Sequence, residues 1–500
     1  MVSFAEERFE WWRKTIGLFA GPVVFLFFYI LPTPSLSWPA HRLGAILGLI
    51  LFYWITEAIP IPVTALLGPI LCIIFGVAPA KEVLAPFADP VVFLFIGSFI
   101  LAESMMVHQL DRRFAYSILS RPSVGKSPFR IFFALGAICA FISMWVSNTA
   151  TTAMMYPIGL GILYTLSEMK GEDKKIFPKK YAVGMMLLVA YASSIGGIGT
   201  PVGTPPNLIG IGMIHKLVGL RISFFQWMLF AVPVMMVMYF FLYLLLIKLH
   251  PPETKELQGA AEYVQMKLSE MKGWTAGQRN SLIAFLVAVF LWVFPGFLAV
   301  IWGTGSQIYQ WYNSHFPEGT VALLAASLLF FLPTNWKERK FTLSWKQAVS
   351  IDWGTILLFG GGLSLGSLMF STKLAENLGQ SIVHLSGATD LWTITAVSIF
   401  SGILISETTS NTASANMVIP VMIAIAKSAG VSPIPPALGA CLGASMGFML
   451  PISTPPNAIV YGSGMVPITK MIRAGVMIDF LGFLTIFLGL RILCPLLGLL

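Results

Sequence analysis

The tetrapeptide Ser147-Asn148-Thr149-Ala150 occurs a second time in this chain, as Ser410-Asn411-Thr412-Ala413, 263 residues further on. The same spacing relates two earlier segments, Asp89–Gly97 and Asp352–Gly360, in which an aspartate precedes an apolar run that ends in glycine. Self-similarity at a fixed spacing is the signature of an internal repeat. The chain is therefore predicted to contain two copies of one structural unit.

A third pair of segments extends the repeat. Thr-Pro-Pro-Asn stands at 204–207 and again at 454–457, now 250 residues apart, because the charged insert 168–180 has no counterpart of equal length. Two consecutive prolines cannot continue a helix, since they lack two donors and clash with the preceding turn. Each repeat is thus predicted to contain two non-helical breaks, one at Ser-Asn-Thr and one at Thr-Pro-Pro-Asn.

The breaks lie in strongly apolar sequence. Hydrophobic residues make up 56% of the 500 residues and charged residues 11%, whereas a soluble protein uses about 25% charged residues. Long unbroken apolar runs, such as 282–293 and 321–332, match membrane helices rather than the alternating strands of a β-barrel. The composition predicts an all-α polytopic membrane protein and excludes a soluble enzyme.

We predict about eleven transmembrane helices and two re-entrant hairpins, 128–168 and 390–430, which are too long for one crossing and carry polar residues at their middle. The predicted spans are 15–32, 41–57, 60–78, 90–108, 181–216, 223–249, 280–302, 318–333, 352–372, 435–466 and 471–497. With a cytoplasmic N-terminus and an exterior C-terminus, most of the 31 Lys and Arg face the cytoplasm, as the positive-inside rule requires. The repeats then have inverted topology, which is typical of secondary transporters.

The predicted organisation has five parts, named here by their expected roles. They are N-terminal scaffold helices (1–87), the first repeat with its hairpin 128–168 and broken helix 181–216 (88–250), a cytoplasmic linker (251–279), further scaffold helices (280–350), and the second repeat with its hairpin 390–430 and broken helix 435–466 (351–500).

Charge and cysteine placement exclude several other functions. The net charge of +9 arises mostly in short loops between apolar runs, which is an orientation signal rather than a nucleic-acid surface. The four cysteines lie in apolar stretches without metal-ligand spacing, so neither a disulfide framework nor a zinc site is expected. The glycine runs lack phosphate-loop context, and no organic cofactor is expected.

The breaks supply neutral oxygen atoms, which suit a hard cation such as sodium. Ser143 precedes Ser147 by about one helical turn, and Ser406 and Ser410 repeat that spacing. Hydroxyls, the asparagine amide and carbonyls of the unwound loop would form one sodium site in each repeat. The predicted ligands are Ser143, Ser147, Asn148 and Gly203 in the first repeat and Ser406, Thr409, Ser410, Asn411 and Ser453 in the second.

The half-helices that start at these breaks favour an anion through their N-terminal dipoles. No Lys or Arg is close in sequence, since Arg130 is the nearest to Asn148 and Lys470 the nearest to Asn457. A divalent anion would therefore need co-bound cations. Because the anion and the cations would bind together, their transport would be coupled.

Four carboxylates near the repeats are interpreted as hydrogen-bonded to helix ends: Asp89, Glu103, Asp352 and Glu407. A proton-carrying role remains the alternative for Glu407.

Segments Ser143–Met155 and Met449–Ile459, with Trp54–Pro60, resemble the divalent anion/sodium symporter family, which includes sodium-coupled dicarboxylate and citrate transporters. The resemblance covers essentially the whole chain. It implies a homodimer in the lipid of the plasma membrane, in which a transport domain moves as an elevator against a scaffold domain and two sodium ions bind at the motif tips. It also implies substrate contacts with Asn148, Thr149, Asn411 and Thr412, with Thr204, Pro205, Thr454 and Pro455 alongside.

The predicted function is sodium-coupled import of a C4-type dicarboxylate such as succinate, malate or fumarate. A sodium-independent dicarboxylate exchanger and a sulfate or tricarboxylate carrier of the same fold remain open. An anion channel would need a multi-site pore. An intramembrane hydrolase would need a base beside its nucleophile, yet no histidine neighbours Ser147 or Ser410 in sequence.

Overall fold

The structure is a computed structural model that describes residues 4–121, 124, 127–168, 179–253, 259–387 and 389–500. Within those ranges it is helical apart from loops and one short two-stranded sheet. Eight of the described helices are long and apolar enough to cross a membrane, or nine if the bent pair 307–315 and 318–331 counts as one span. The predicted all-α polytopic class is confirmed.

Four helices precede the first repeat. They are α1 (Phe4–Ile30), α2 (Trp38–Thr56), α3 (Ile61–Ile74) and α4 (Ala80–Leu84), followed by a 3-10 turn at Ala85–Ala88. Ser37 caps α2 by accepting a hydrogen bond from the backbone N–H of Ala40, and α2 packs between α1 and α3.

The first repeat contains seven helices. They are α5 (Pro90–Val107), α6 (Leu110–Leu119), α7 (Pro128–Ser143), α8 (Asn148–Glu168), α9 (Lys179–Gly197), α10 (Pro205–Val218) and α11 (Phe224–Leu249). The gaps between α7 and α8 and between α9 and α10 are the two predicted breaks.

A connecting region follows the first repeat. Its elements are α12 (Ala260–Glu270), α13 (Ala276–Trp302), α14 (Gln307–His315), α15 (Glu318–Phe331), β1 (Pro333–Asn335), β2 (Lys340–Phe341) and α16 (Trp345–Ala348). The two strands pair antiparallel, with Pro333 opposite Phe341.

The second repeat has the same element order as the first. Its helices are α17 (Trp353–Ser371), α18 (Leu374–Ser386), α19 (Leu391–Thr408), α20 (Asn411–Ser428), α21 (Ile434–Gly443), α22 (Pro455–Tyr461) and α23 (Ile468–Leu496). Asp352 caps α17 as Asp89 caps α5, each carboxylate accepting from a backbone N–H of the first turn. The element-by-element match confirms the internal repeat, while the membrane orientation of each copy stays a prediction.

The first helix of each repeat is locked to a helix outside the repeats. α5 packs along α15 and α17 packs along α3. A Cβ atom added at Gly97 would lie 2.5 Å from the carbonyl carbon of Ala322, and one added at Gly361 would lie 2.2 Å from the carbonyl oxygen of Ala65. Small residues allow such close helix contact in membranes. These contacts hold α5 against α15 and α17 against α3.

The interrupted helices pack on one another in each repeat, α7 against α9 and α19 against α21. A Cβ atom at Gly196 would lie 2.2 Å from the oxygen of Ala140, and one at Gly443 would lie 2.5 Å from the oxygen of Ile399. Backbone contact thus fixes each hairpin tip relative to the break that follows it.

Several sequence predictions need correction. The span predicted at 60–78 contains a helix only over Ile61–Ile74. Segment 435–466, predicted as a broken helix, consists of two short helices around non-helical residues 444–454. Residues 303–317, which lie between the predicted spans 280–302 and 318–333 and were expected to form a loop, contain α14, whose N-cap is Ser306. The amphipathic helices α6 and α18 were not predicted, since they are shorter than a span. Residues 169–178 of the charged insert lie outside the described residues.

Candidate functional site

All four predicted breaks meet at one cavity of about 660 Å³. Its wall contains all eight residues predicted to contact substrate: Asn148, Thr149, Thr204, Pro205, Asn411, Thr412, Thr454 and Pro455. Of the other predicted sodium ligands, Ser147, Gly203, Ser410 and Ser453 also line it. Ser143, Ser406 and Thr409 are buried and are not part of the lining. The repeat thus brings segments from both halves of the chain to one place.

Each hairpin tip holds its asparagine in the same way. The hydroxyl of Ser143 donates to Oδ1 of Asn148 at 2.7 Å, and the hydroxyl of Ser406 donates to Oδ1 of Asn411 at 2.7 Å. Both serines are completely buried. An amide oxygen has two lone pairs, so each fixed oxygen can accept one more donor or bind a cation.

The second serine of each tip caps the following helix. Oγ of Ser147 accepts from the backbone N–H of Ala150 at 3.3 Å, and Oγ of Ser410 accepts from that of Ala413 at 3.2 Å. The hydroxyl of Thr409 donates to the carbonyl of Ile405 at 3.0 Å. Capping accounts in part for the serine that stands directly before the asparagine in both motifs. It uses only the hydroxyl oxygen, so the hydroxyl hydrogens of Ser147 and Ser410 are left for other acceptors.

The asparagine of each Thr-Pro-Pro-Asn motif holds the unwound loop before it. Nδ2 of Asn207 donates to the carbonyls of Gly197 at 2.9 Å and Thr200 at 2.7 Å. Nδ2 of Asn457 donates to the corresponding carbonyls of Gly447 and Leu450, both at 2.9 Å. Neither asparagine was predicted to have a role from the sequence, although their matching places in the two repeats were a usable signal.

Carbonyl oxygens converge at the first-repeat break. A Cβ atom at Gly203 would lie 2.5 Å from the oxygen of Gly197 and 2.9 Å from those of Ser143 and Met144. The hydroxyl of Thr200 donates to the Met144 oxygen from the other side. Glycine therefore leaves a small cradle of hard oxygen atoms, and that donor type fits a sodium ion.

The second repeat fills the equivalent place differently. Glu407 stands where the first repeat has Met144, and Ser453 stands where it has Gly203. Oε1 of Glu407 accepts from the backbone N–H groups of Phe448 at 2.6 Å and Met449 at 2.8 Å, and Oε2 accepts from the Ser453 hydroxyl at 2.6 Å. These bonds support the interpretation of Glu407 as a carboxylate that holds a helix break.

The cavity extends from the tips towards one end of the helices. Its other wall consists of Ile61 and Pro62 from α3, the last two turns of α5, and residues 350–358. The side chain of His108, just beyond α5, contacts the carbonyl of Thr342 at 2.7 Å, which places α5's C-terminal end beside the segment leading to α17. This end of the cavity is called the mouth below, and it lies on the face predicted to be cytoplasmic.

The side of the first hairpin tip that faces away from the mouth is covered by aromatic side chains of other helices. Trp145 at the first tip stacks on Phe224 of α11, with ring centroids 6.3 Å apart, and Phe224 stacks on Trp292 of α13 at 4.7 Å. Nearby, Arg221 in the α10–α11 loop forms an ion pair with Glu318 at the start of α15. The first repeat is therefore in contact with the connecting region on the side away from the mouth.

No Lys, Arg or His is among the described residues that line the cavity; its titratable lining groups are Glu103 and Asp352. The carboxylate of Asp352 accepts from the N–H and hydroxyl of Thr355, at 3.1 and 2.6 Å. Glu103 lies within α5 rather than at its end, so its interpretation as a helix-end carboxylate was wrong. Among the described residues, no group of His, Cys, Asp and Glu could hold a metal through such ligands.

The chain matches the sequence profile of a family described as the sodium:sulfate symporter transmembrane region over residues 10–500. It is 35% identical to a sodium-dependent dicarboxylate transporter, SdcS, of Staphylococcus saprophyticus over 486 residues, which cover 96% of this chain and 92% of that protein. It is 32% identical to the protein of the same name from Staphylococcus aureus USA300 over 489 residues, covering 96% and 91%.

Two solved structures share the fold. The YdaH transporter of Alcanivorax borkumensis matches with a TM-score of 0.53 at 14% identity, covering 98% of this chain and 97% of that one. MtrF of Neisseria gonorrhoeae, from a class of antimetabolite efflux pumps, matches with a TM-score of 0.54 at 12% identity, covering 93% and 95%. At these identities the similarity concerns the fold alone.

Proposed function

Since this chain belongs to the family of the sodium:sulfate symporter transmembrane region, a family of membrane transporters and not of enzymes, we propose that it carries C4-type dicarboxylates such as succinate, malate and fumarate together with sodium ions. The sodium-dependent dicarboxylate transporters that it resembles at 35% and 32% identity support this substrate class and this ion. The plasma membrane is the proposed location, with the N-terminus cytoplasmic and the C-terminus outside, and a homodimer is the proposed assembly.

One observation carries the proposal: two equivalent Ser–Asn pairs, each with its oxygen fixed at 2.7 Å from a buried hydroxyl, border the same cavity. With each Oδ1 held by its serine, the Nδ2 groups of the two asparagines can donate to a ligand that has a carboxylate at each end. We propose that each end of a dicarboxylate meets one tip, with Asn148 and Thr149 on one side and Asn411 and Thr412 on the other.

The charge of the cavity accounts for sodium dependence. The helices α8, α10 and α20 begin at cavity-lining residues, and each N-terminus supplies roughly half a positive charge. These partial charges attract a dianion but leave part of its charge uncompensated, since no described cationic side chain lines the cavity. Two sodium ions, one per tip, would complete the compensation.

The sodium sites are proposed at the tips. In the first repeat the ligands are Ser143, Ser147, Asn148 and Gly203, and the carbonyl cradle around Gly203 supports that placement. In the second repeat they are Ser406, Thr409, Ser410, Asn411 and Ser453. Each asparagine belongs to both a sodium site and the substrate site. A bound sodium ion would therefore position the asparagine for the substrate, and a bound substrate would position it for sodium. Coupling requires that each ligand raise the affinity for the other in this way.

We propose an elevator motion of the hairpins and broken helices against a framework. The framework is proposed to contain α5 and α17, whose glycines pack closely against α15 and α3. The cavity lies between that framework and the tips. In the structure its mouth faces the predicted cytoplasmic side, so we propose that this is the inward-facing state.

Uptake by proteoliposomes separates the proposed symporter from an exchanger. We expect labelled succinate to enter empty vesicles when sodium is outside and to remain outside when choline replaces sodium. Preloading the vesicles with succinate should change the initial rate little. Cold sulfate and citrate, added as competitors, test the other substrate classes.

An exchanger would give the reverse pattern, with uptake only into preloaded vesicles, whatever the sodium concentration. Equal rates in sodium and choline would refute the coupling. Vesicles without protein, assayed with the same gradients, serve as the control for leakage.

The ion pair between Arg221 and Glu318 should favour the state with the mouth open. Both side chains are partly exposed, at 38% and 19%, and such a pair contributes about 0–1 kcal/mol. We expect Arg221→Gln to shift the equilibrium from the inward-facing towards the outward-facing state. The apparent KM for external succinate should then fall by up to about fivefold. The conservative variant Arg221→Lys should retain the wild-type KM. A higher KM in Arg221→Gln, or the same KM in both variants, would contradict this role.

A further inference from the structure

Glu103 is the one charged group at the cavity mouth that has no described partner. Its carboxylate lines the cavity beside Phe99, Ala102 and Met106, and the described residues include no donor or cation that bonds to it. The other mouth carboxylate, Asp352, is engaged by Thr355 and by the start of α17. An uncompensated negative charge in a cavity for anions requires a reason.

The position of Glu103 is fixed. It lies six residues after Gly97, in the same helix, and the backbone of α5 touches α15 at that glycine. Pro90 at the start of α5 is in backbone contact with Gly319 of α15, where a Cβ atom would lie 2.5 Å from the Pro90 oxygen. Two contacts along one helix hold the backbone of α5 against α15, so the backbone position from which Glu103 extends is set by that packing.

Glu103 and the hairpin tips lie on different walls of the cavity. The tips present neutral oxygens and helix N-termini, whereas the mouth presents carboxylates. A ligand with two carboxylates can place both against the tips. A third carboxylate on a ligand of similar length has no third tip to bind, and the other wall of the cavity carries the like charge of Glu103.

We propose that Glu103 is a specificity-determining residue that selects dianions over trianions by like-charge repulsion. This inference rests on the proposed function and refines its substrate class. Two like charges in a partly aqueous cavity repel by an amount that changes binding by roughly tenfold.

Two competitors that differ by one carboxyl group test the proposal. Glutarate and tricarballylate have the same three-carbon backbone between their terminal carboxyl groups, and tricarballylate carries a third carboxylate on the central carbon. Each is titrated inside proteoliposomes that hold the protein in its native orientation, against sodium-dependent efflux of labelled succinate, because the mouth opens on the face predicted to be cytoplasmic. The ratio of the two half-inhibitory concentrations measures the discrimination against the third charge and cancels changes common to both ligands.

We expect Glu103→Gln, which keeps the shape and removes the charge, to shift this ratio roughly tenfold in favour of tricarballylate. Glu103→Asp should keep the wild-type preference, and Glu82→Gln, at an exposed glutamate of α4, should leave the ratio unchanged. Glu103→Met, apolar like its neighbour Met106, provides a second neutral variant if the glutamine variant does not fold.

The same shift should appear without transport, as stabilisation of the purified protein against heat by tricarballylate relative to glutarate in saturating sodium. An unchanged ratio in both neutral variants would overturn the role of Glu103. Failure of the proposed function would look different, because wild-type succinate transport would then show no sodium dependence or no inhibition by either competitor.

Discussion

Replacing Asn148 by alanine is expected to reduce sodium-dependent succinate uptake by at least about a hundredfold, and replacing Asn411 by alanine should do the same. The Oδ1 atom of each asparagine is proposed to bind a sodium ion, and the Nδ2 group of the same side chain is proposed to donate to a substrate carboxylate. A hydrogen bond to a charged group contributes roughly 1.5–3 kcal/mol, and losing it together with a sodium ligand removes enough binding free energy for that effect. Initial uptake rates at several sodium concentrations measure it.

The two variants should also show which ligands share a site. If each asparagine holds both ion and substrate, the apparent affinities for sodium and succinate must fall together in each variant. The protein should still elute as a folded species, because truncation of Asn148 leaves only the buried Ser143 hydroxyl without its acceptor, and in Asn411→Ala the Ser406 hydroxyl can still donate to the carbonyl of Ala444 at 2.8 Å.

Asn377→Ala is the matched control. Asn377 lies in α18, and its amide donates to the carbonyl of Lys373, the N-cap residue of that helix, at 2.9 Å. This variant should transport like the wild type. Normal sodium and succinate kinetics in both Asn148→Ala and Asn411→Ala would remove these residues from the site.

The second large effect is expected from one added methyl group. A Cβ atom at Gly197 would lie 2.3 Å from Oδ1 of Asn148, which is far inside van der Waals contact. Gly197→Ala must therefore push the Asn148 amide out of its hydrogen bond with Ser143. A displacement of about 1 Å at a binding group can cost on the order of a hundredfold in rate, and we expect a loss of at least about tenfold in uptake.

The second repeat contains its own control for this substitution. Gly447 is equivalent to Gly197, but a Cβ atom there would lie 3.2 Å from Oδ1 of Asn411 and 3.3 Å from the hydroxyl of Ser406. Shifts of a few tenths of an ångström accommodate that distance, so Gly447→Ala should retain most of the uptake. Equal losses in the two variants would show that crowding of the asparagine is not the cause.

This contrast reflects a difference between the repeats that the motifs do not reveal. The first repeat has a glycine and converging carbonyls at its break, whereas the second has Ser453 bonded to the Glu407 carboxylate. If both tips bind sodium, the two ions therefore have different surroundings. The difference gives a reason to titrate sodium separately in variants of each tip.

Much of the fold was readable from the sequence because a membrane imposes simple rules. Apolar runs must form helices, since lipid offers no partners for backbone groups, and breaks inside such runs must line a cavity. The duplicated motifs then identified both breaks of each repeat. The helices that were missed or misjudged, α6, α14 and α18, are short and amphipathic, and neither hydropathy nor the motifs distinguishes such segments from loops.

The sequence by itself determined the class of protein, the repeat and the residues at the tips, because those follow from composition, spacing and proline chemistry. Only the tertiary structure decided what stands opposite the tips. The serine partner of each asparagine lies only five residues away in the chain, but the crowding at Gly197 and the surroundings of the Glu103 carboxylate depend on contacts between residues far apart in the chain. Such contacts are set by how helices pack, and no local pattern of residues encodes the distance between two side chains on different helices.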